Sequence, residues 1–445
     1  MAGVGTSAAA TVGRTLGTLG LLTLTLPVDT VVTAAALLRS RREPAPSRGS
    51  RSRTVLVSGG KMTKALALAR AFHDAGHRVV LVESARYRLT AHRFSRAVDA
   101  FHVVPEATSP HDAAALRDVA VREGVDVYVP VCSPVASLAD AEAKATLEAA
   151  GVEVVHLDPD DLRTVDDKAA FSDAARALGL PVPDSHRITD PQQVLDFDFA
   201  SRPRPYILKS IPYDPVSRLD LTRLPRPTRA ETERYLRDLP ISPEHPWVLQ
   251  EFVEGTEYCT HGTVRDGRLQ VWVCCASSAW QLTYEMVDHP AIREWVETFV
   301  AGTGLTGQVS FDFIEDASGT VRAIECNPRT HSAITLLHGD PRLAGAYLET
   351  FADGTPALEP PLGGRPTHWT YHELWQALRH PRGAPGRLRT LRRGTDAVFA
   401  ANDPLPFWML HHVHVPSLLL ANLRALRPWL KVDLNIGKLV EPAGD

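Results

Sequence analysis

The chain has 445 residues, 44% hydrophobic and 22% charged, an ordinary globular balance with length for about three domains. Lys and Arg number 48 against 52 Asp and Glu, a formal net charge of −4, which argues against a protein built around nucleic-acid phosphates. Cys132, Cys259, Cys274, Cys275 and Cys326 form no C-x-x-C pair and no zinc-like spacing, so they read as reduced thiols and point to a cytoplasmic working compartment.

Residues 1–53 hold seven arginines and only two acids, Asp29 and Glu43. Between Thr15 and Leu38 the only charge is Asp29 and the only proline Pro27. Such a stretch is long enough to cross a bilayer, yet a carboxylate in hydrocarbon is costly. Three readings stand: a membrane anchor or interfacial helix, a helix packed on the body, or a cleaved signal. The arginines that follow predict that the body stays on the cytoplasmic side. Pro44-Ala-Pro-Ser-Arg-Gly-Ser reads as a linker.

A βαβ unit opens the body. Strand Thr54-Val-Leu-Val runs into Ser58-Gly-Gly-Lys61, a helix over 63–75 ends at Gly76, and Val79-Val-Leu-Val is the next strand. Strands at 125–131 and 152–155 alternate with helices near 112–122 and 136–150, giving a doubly wound α/β unit over 54–158. The fingerprint G-x-G-x-x-G is absent, so the double glycine is either a small-molecule contact at a strand C-terminal edge or a structural turn.

From Asp166 the pattern changes to antiparallel strands plus helices. A helix carries Lys168, and strand Tyr206-Ile-Leu-Lys209 follows. Strand 247–253, the turn Glu254-Gly-Thr-Glu257 and a hairpin at Arg265-Asp-Gly267 come next. Two further strand-like runs contain Asp312 and Glu325-Cys-Asn327-Pro-Arg329. A two-residue turn at Ser318-Gly319 sets Asp312 opposite Glu325, and the two-residue period adds Asn327 and approximately Arg329 to that face. Two carboxylates and an amide oxygen suit Mg²⁺; the alternative is a solvated acidic face bridged by Arg329. Lys168 and Lys209, with one or two Mg²⁺, would supply the positive charge that a triphosphate needs, and Arg329 could stabilise a transferring phosphoryl group.

The series Asp167-Lys168, Ile207-Leu-Lys209, Leu249-Gln-Glu-Phe-Val253, Gly255-Thr-Glu257, Phe311-Asp312 and Ile324-Glu-Cys-Asn-Pro-Arg329 resembles the ATP-grasp superfamily. The resemblance implies a Rossmann-like pre-ATP-grasp domain over 54–158 and an ATP-grasp domain over 159–350. These are flanked by the apolar N-terminal helix of the 1–53 leader and a helical C-terminal extension over 351–445. It further implies that Gln250, Glu251 and the Val253 backbone contact adenine and that Glu257 holds the ribose. Lys168 and Lys209 would bind phosphates, Asp312, Glu325 and Asn327 would bind Mg²⁺ (with Mn²⁺ an alternative), and Arg329 and Lys209 would act in catalysis. The first metal carboxylate is Asp312, where the superfamily often has Glu. No glycine-rich flap follows Lys209, where Ser210-Ile-Pro-Tyr-Asp-Pro-Val-Ser-Arg218 stands.

Longer strings resemble mycosporine-glycine synthase, the ATP-grasp ligase family of mycosporine-like sunscreen biosynthesis. They are Val57-Ser-Gly-Gly-Lys-Met-Thr-Lys-Ala65, His92-Arg-Phe-Ser95, Tyr128-Val-Pro-Val-Cys-Ser-Pro-Val-Ala136, Cys259-Thr-His261, Glu325-Cys-Asn-Pro-Arg-Thr-His-Ser-Ala-Ile334 and Pro416-Ser-Leu-Leu-Leu420. The likeness implies ATP-dependent phosphorylation of the enol oxygen of 4-deoxygadusol and its replacement by glycine. Candidates for the substrates are Ser58, Lys61 and Ser133 toward the ring and Arg93 or Arg218 for the glycine carboxylate. His261 and His331 are candidates for the amine proton, or else structural histidines. Two rivals remain open: another ATP-grasp carboxylate-amine ligase, and a membrane-tethered nucleotide-binding module without turnover. In the tail, six arginines between Arg379 and Arg393 precede apolar stretches at 405–410 and 418–430, which suit either docking on anionic lipid or a helix covering the body. His411, His412 and His414 lack the carboxylate or cysteine company of a metal site.

Overall fold

The computed structural model describes residues 8–40, 49–131, 133–212, 220–277 and 282–441. Helix α1 (Ala8–Ser40) leads. Then β1 (Thr54–Val57), α2 (Thr63–Asp74), β2 (Arg78–Ser84), β3 (Ala100–Val104), α3 (Asp112–Glu123), β4 (Val127–Val129), α4 (Ser137–Glu148) and β5 (Glu153–Val154) form a unit around a parallel sheet ordered β3-β2-β1-β4-β5. The central strand reads as an unbroken apolar run because helices cover both of its faces: Val55, Leu56 and Val57 are fully buried. At its C-terminal edge Gly59 adopts φ 63°, and a Cβ there would stand 2.1 Å from the Val131 carbonyl oxygen. The Ser58-Gly-Gly-Lys61 turn therefore requires glycine.

Helices α5 (Pro159–Asp166) and α6 (Lys168–Ala177) lead into a small antiparallel sheet ordered β6-β8-β7. Its elements are β6 (Ser185–Ile188), α7 (Pro191–Leu195), β7 (Tyr206–Ser210), α8 (Arg229–Arg237) and β8 (Trp247–Glu251). Tyr206, Leu208, Leu224, Leu236, Trp247 and Leu249 give this sheet a core of its own. Strands β9 (Thr256–Arg265) and β10 (Arg268–Ala276), the short β11 (Thr283–Tyr284), α9 (Pro290–Thr303), and strands β12 (Gly307–Glu315) and β13 (Val321–Asn327) follow. They produce a larger antiparallel sheet ordered β10-β9-β12-β13. One of its faces is closed by α6 and α9 through an aromatic cluster of Phe171, Trp295, Phe299, Phe311 and Phe313, with Trp295 stacked on Phe299 at 5.3 Å.

The C-terminal elements are α10 (Leu343–Leu348), β14 (Thr367–His368), α11 (Thr370–Arg379), α12 (Ala384–Arg393), β15 (Thr395–Asp396) and α13 (Leu405–Met409). A π-helical turn over Leu410–His414, α14 (Val415–Arg424), β16 (Lys431–Asp433) and β17 (Lys438–Val440) complete the chain. This extension packs back on the first sheet. The buried Arg70 of α2 pairs with Asp403 at 2.8 Å and donates to the carbonyls of Val398 and Asp403.

Of the readings of the leader, the structure shows the helix packed against the body. Asp29 is not stranded in an apolar span: its carboxylate accepts from His412 Nε2 at 2.8 Å and from the Tyr371 hydroxyl. The histidine run is engaged in bonds within the protein. His411 is bonded to the Phe407 carbonyl, His412 to Asp29, and His414 accepts from the Ala91 amide.

Candidate active site

Strands β12 and β13 pair Asp312 with Glu325 and Ser310 with Asn327, so Asp312, Glu325 and Asn327 share one face. The turn expected to produce this register differs. Glu315 pairs with Val321 across a turn closed by bonds between Asp316 and Thr320, one residue out of step with a turn at Ser318-Gly319. A register shift between Asp312 and Phe313 restores the step. The expected pairing thus arises from a longer turn plus a β-bulge, a common means of re-aiming side chains beside functional sites.

The Asn327 amide NH₂ approaches Asp312 Oδ2 at 3.2 Å and Glu325 Oε1 at 3.4 Å, while its oxygen accepts from Arg329 Nη2 at 2.6 Å. The amide oxygen expected as a metal ligand is therefore engaged by Arg329 in this arrangement. Burial and the neighbouring Glu325 charge push the Asp312 carboxyl well above its ordinary range. For Glu325, burial acts upward, but Lys168 and Lys209 prevail and bring it down to about 2. Two carboxylates so close favour a shared proton or a cation. Among the described residues no group of three His, Cys, Asp or Glu is placed to hold a metal.

Lys168 opens α6, whose N-cap Asp167 accepts from the amides of Ala169 and Ala170. Its ammonium lies 3.7 Å from Glu325. Lys209, on β7 opposite Val248, has its pKa lowered by burial and Lys168, against the opposing pull of Glu325, Asp312 and Glu257. Lysines from separate elements thus converge with Glu257 on the carboxylate face, and Arg329 acts on the same carboxylates. In the turn before Glu257, a Cβ on Gly255 would meet the Glu315 carbonyl oxygen at 2.0 Å, so only glycine lets the β8–β9 turn cross the end of β12.

The Gln250 side chain is buried and donates to the Ile324 carbonyl at 3.3 Å. Glu251 is bound by Arg204 at 3.1 Å and accepts from the Asp184 amide. Both lie in the central strand of their sheet, flanked on each side by another strand, and Val253 stands just beyond that strand. His261 is fully buried between the His331 amide, Thr263 and the Tyr347 hydroxyl. Burial and His331 hold its pKa well below the ordinary value. His331 caps the 332–337 turn through the Ala333 amide, and burial, then Lys64 and Arg329, lower it to about 3.

Ser58 accepts from the Val131 amide, and Lys61 faces Glu83 at 3.4 Å and the Tyr87 ring at 4.2 Å. Ser133 begins the turn into α4. Arg93 lies over the Phe101 ring at 4.4 Å and donates to the Arg88 carbonyl, which holds it at the edge strand. Arg218 and Cys132 lie outside the described residues.

Several contributors had no motif to reveal them. Lys64, 8% exposed, donates to the Thr330 carbonyl at 2.6 Å, and Ser137 donates to the Pro328 carbonyl at 2.8 Å. The loop bearing Arg329 is thereby pinned to the first sheet's helices on both sides. Gln308 bonds the Pro130 carbonyl, the Thr330 hydroxyl and the Tyr347 hydroxyl. Asp166, at the end of α5, stands where the charges of Arg329 and Lys168 act on it.

A parallel α/β unit followed by a small and a large antiparallel sheet, with Lys209 from the small sheet and Asp312 and Glu325 from the large one, is a fold of ATP-grasp type. The biotin carboxylase domain of Hydrogenobacter thermophilus 2-oxoglutarate carboxylase, solved with MgADP, ADP and bicarbonate, aligns at TM-score 0.51 and 16% identity, covering 63% of this chain and 64% of that one. N5-carboxyaminoimidazole synthetase from Staphylococcus aureus aligns at TM-score 0.53 and 12% identity, covering 73% and 83%. In sequence, the C-terminal section of the carbamoyl phosphate synthase large chain of Methanopyrus kandleri is 25% identical over 213 residues, 42% of this chain and 37% of that protein. The match spans little more than a third of that relative. No protein-family model matches the chain.

Proposed function

We propose that the chain is an ATP- and Mg²⁺-dependent ligase forming a carbon–nitrogen bond, with 4-deoxygadusol and glycine as its substrates. The observation that carries the nucleotide chemistry is the convergence of Asp312 and Glu325 with Lys168, Lys209 and Arg329. The long strings that resemble mycosporine-glycine synthase support the choice of substrates. Asp312, Glu325 and a turned Asn327 amide fit Mg²⁺, whose charge would neutralise phosphate oxygens when bound.

Lys168 and Lys209 would hold the phosphates, their ammonium groups matching the oxygens' negative charge. The enol oxygen of 4-deoxygadusol attacks the γ-phosphorus, the bond from that phosphorus to the β-bridging oxygen breaks, and ADP leaves. Arg329 would stabilise charge on the transferring group. The glycine amine then adds to the activated ring carbon, its excess protons pass to phosphate or solvent, and the carbon–oxygen bond breaks. Phosphate departs and an enaminone remains.

The test is mass spectrometry of a reaction containing 4-deoxygadusol, glycine, ATP and Mg²⁺, beside Glu325→Ala. Mycosporine-glycine from the parent alone is expected. Ligation undiminished in the variant would overturn the metal assignment. ADP release with a carboxylic acid and an amine, but not with 4-deoxygadusol, would leave a ligase of other specificity. No ADP release with any acceptor would favour a nucleotide-binding module.

A further inference from the structure

Helix α1 is amphipathic in the opposite sense to a helix on a soluble surface. At roughly 100° per residue, its buried positions Thr11, Thr15, Leu22, Thr33 and Ala36 fall in one narrow arc together with Asp29. Its polar side chains thus turn toward the body. Trp429 Nε1 donates to Thr15 at 2.9 Å, Arg14 to the Trp429 carbonyl at 2.5 Å, and His412 and Tyr371 bind Asp29. From Gly13 to Leu38 the opposite half holds only Gly, Ala, Leu, Val and Pro, apart from Thr23 and, on its margin, Thr30. Leu24, Val28, Val31 and Leu38 on it are 64–75% exposed. Water would ordinarily face charged residues on that side.

The helix is also internally satisfied for an apolar medium. The exposed hydroxyls of Thr18, Thr23 and Thr30 donate to the carbonyls of Arg14, Leu19 and Leu26, one turn back, so they would carry no unmet hydrogen bond into lipid. Next to α1, the first turn of α11 carries the Asp29 partner Tyr371, and the same face continues with the exposed Trp375 and Leu378. Its acid, Glu373, is buried and bound by Arg387 at 2.9 Å. Helix α12 carries Arg387, Arg389, Arg392 and Arg393 with no acid.

We infer that the outward face of α1, with the α11–α12 hairpin, docks in the plane of an anionic lipid bilayer and that α1 does not cross it. Apolar side chains would enter the acyl boundary while the arginines meet lipid phosphates. The contacts from Arg14 to Asp29 keep the helix on the body, and a spanning orientation would have to break them. A second copy of the chain is the competing occupant, since Gly13 and Gly17 would allow close helix approach.

The full chain should co-sediment with vesicles of phosphatidylcholine and phosphatidylglycerol, and poorly with phosphatidylcholine alone. Val28→Glu with Val31→Glu, both at exposed positions, should abolish binding. Arg389→Glu with Arg392→Glu should weaken it by about thirtyfold or more, and salt should weaken it too. Depth probes on Leu24→Cys and Leu38→Cys should report equal, shallow insertion; a difference approaching about 21 Å, the rise of 14 helical residues, would mean that the helix spans. That gradient would overturn the proposal. So would failure to bind anionic vesicles, binding unaffected by the Val28 and Val31 substitutions, or a vesicle-indifferent dimer that those substitutions dissociate.

Discussion

Acid should destabilise this fold between pH 7.5 and 5.5, because it buries neutral histidines. Burial, foremost, lowers His92 and His331 to about 3 and His411 and His414 to about 4. Each is neutral when folded and takes a proton once unfolded, near pH 6.5. The stability each contributes is therefore present above pH 6.5 and is lost as pH falls toward the folded values. Between pH 7.5 and 5.5 the loss is about 1.4 kcal/mol per histidine, roughly 5 to 6 kcal/mol for four. Asp112 opposes this. Burial and Asp140 raise its carboxyl to about 7, and its protonation in the fold returns about 2 kcal/mol over the same interval. The decisive comparison is with His414→Gln, whose Nε2 is buried without a hydrogen-bond partner in the parent. Denaturant unfolding at pH 7.5, 6.5 and 5.5 should show the variant losing about 1.4 kcal/mol less than the parent, with about one proton fewer taken up on unfolding at pH 5.5. Equal pH dependence in the two proteins would refute a neutral buried His414.

Two further substitutions probe how the halves of the molecule are joined. Lys64→Met removes the bond to the Thr330 carbonyl, a charge-assisted interaction of about 1.5–3 kcal/mol. It should lower the thermal midpoint and reduce kcat while leaving KM for ATP nearly unchanged; steady-state ADP release with undiminished kcat would show that Arg329 is held without it. Arg70→Met strands Asp403 and should cost about 3–5 kcal/mol. Adding Asp403→Leu should recover most of that loss in thermal melts, and a double variant no better than the single would point away from an unpaired buried charge.

Where alternation or helical spacing decided burial, the elements could be read locally. The β1–α2–β2 unit, strand β7 with Lys209, and the Arg265-Asp-Gly267 hairpin all carry their pattern within about ten residues. The Asp312–Glu325 pairing was legible too, although its turn was not: a two-residue connection and a longer turn with a bulge give the same partners, and strand periodicity cannot separate them. Gln250 and Glu251 were harder. A polar side chain in an apolar strand has the same sequence signature whatever it meets, and only the structure showed Gln250 bonded to the Ile324 carbonyl and Glu251 to Arg204. The same ambiguity hid His261, whose partners Thr263, His331 and Tyr347 span more than eighty residues.

The amino-acid order alone determined which segments become strands and helices, which residue types can meet phosphate or a divalent cation, and that α1 is apolar. Those properties follow from side-chain chemistry and short-range periodicity. Only the tertiary structure decided that Lys64 and Ser137 clamp the Arg329 loop, that Asp403 closes on Arg70, and that Asp29 turns toward Tyr371 and His412 and leaves the greasy side of its helix outward. These contacts join residues scores to hundreds of positions apart, and long-range closure is selected by collective burial and charge pairing, which no local pattern encodes.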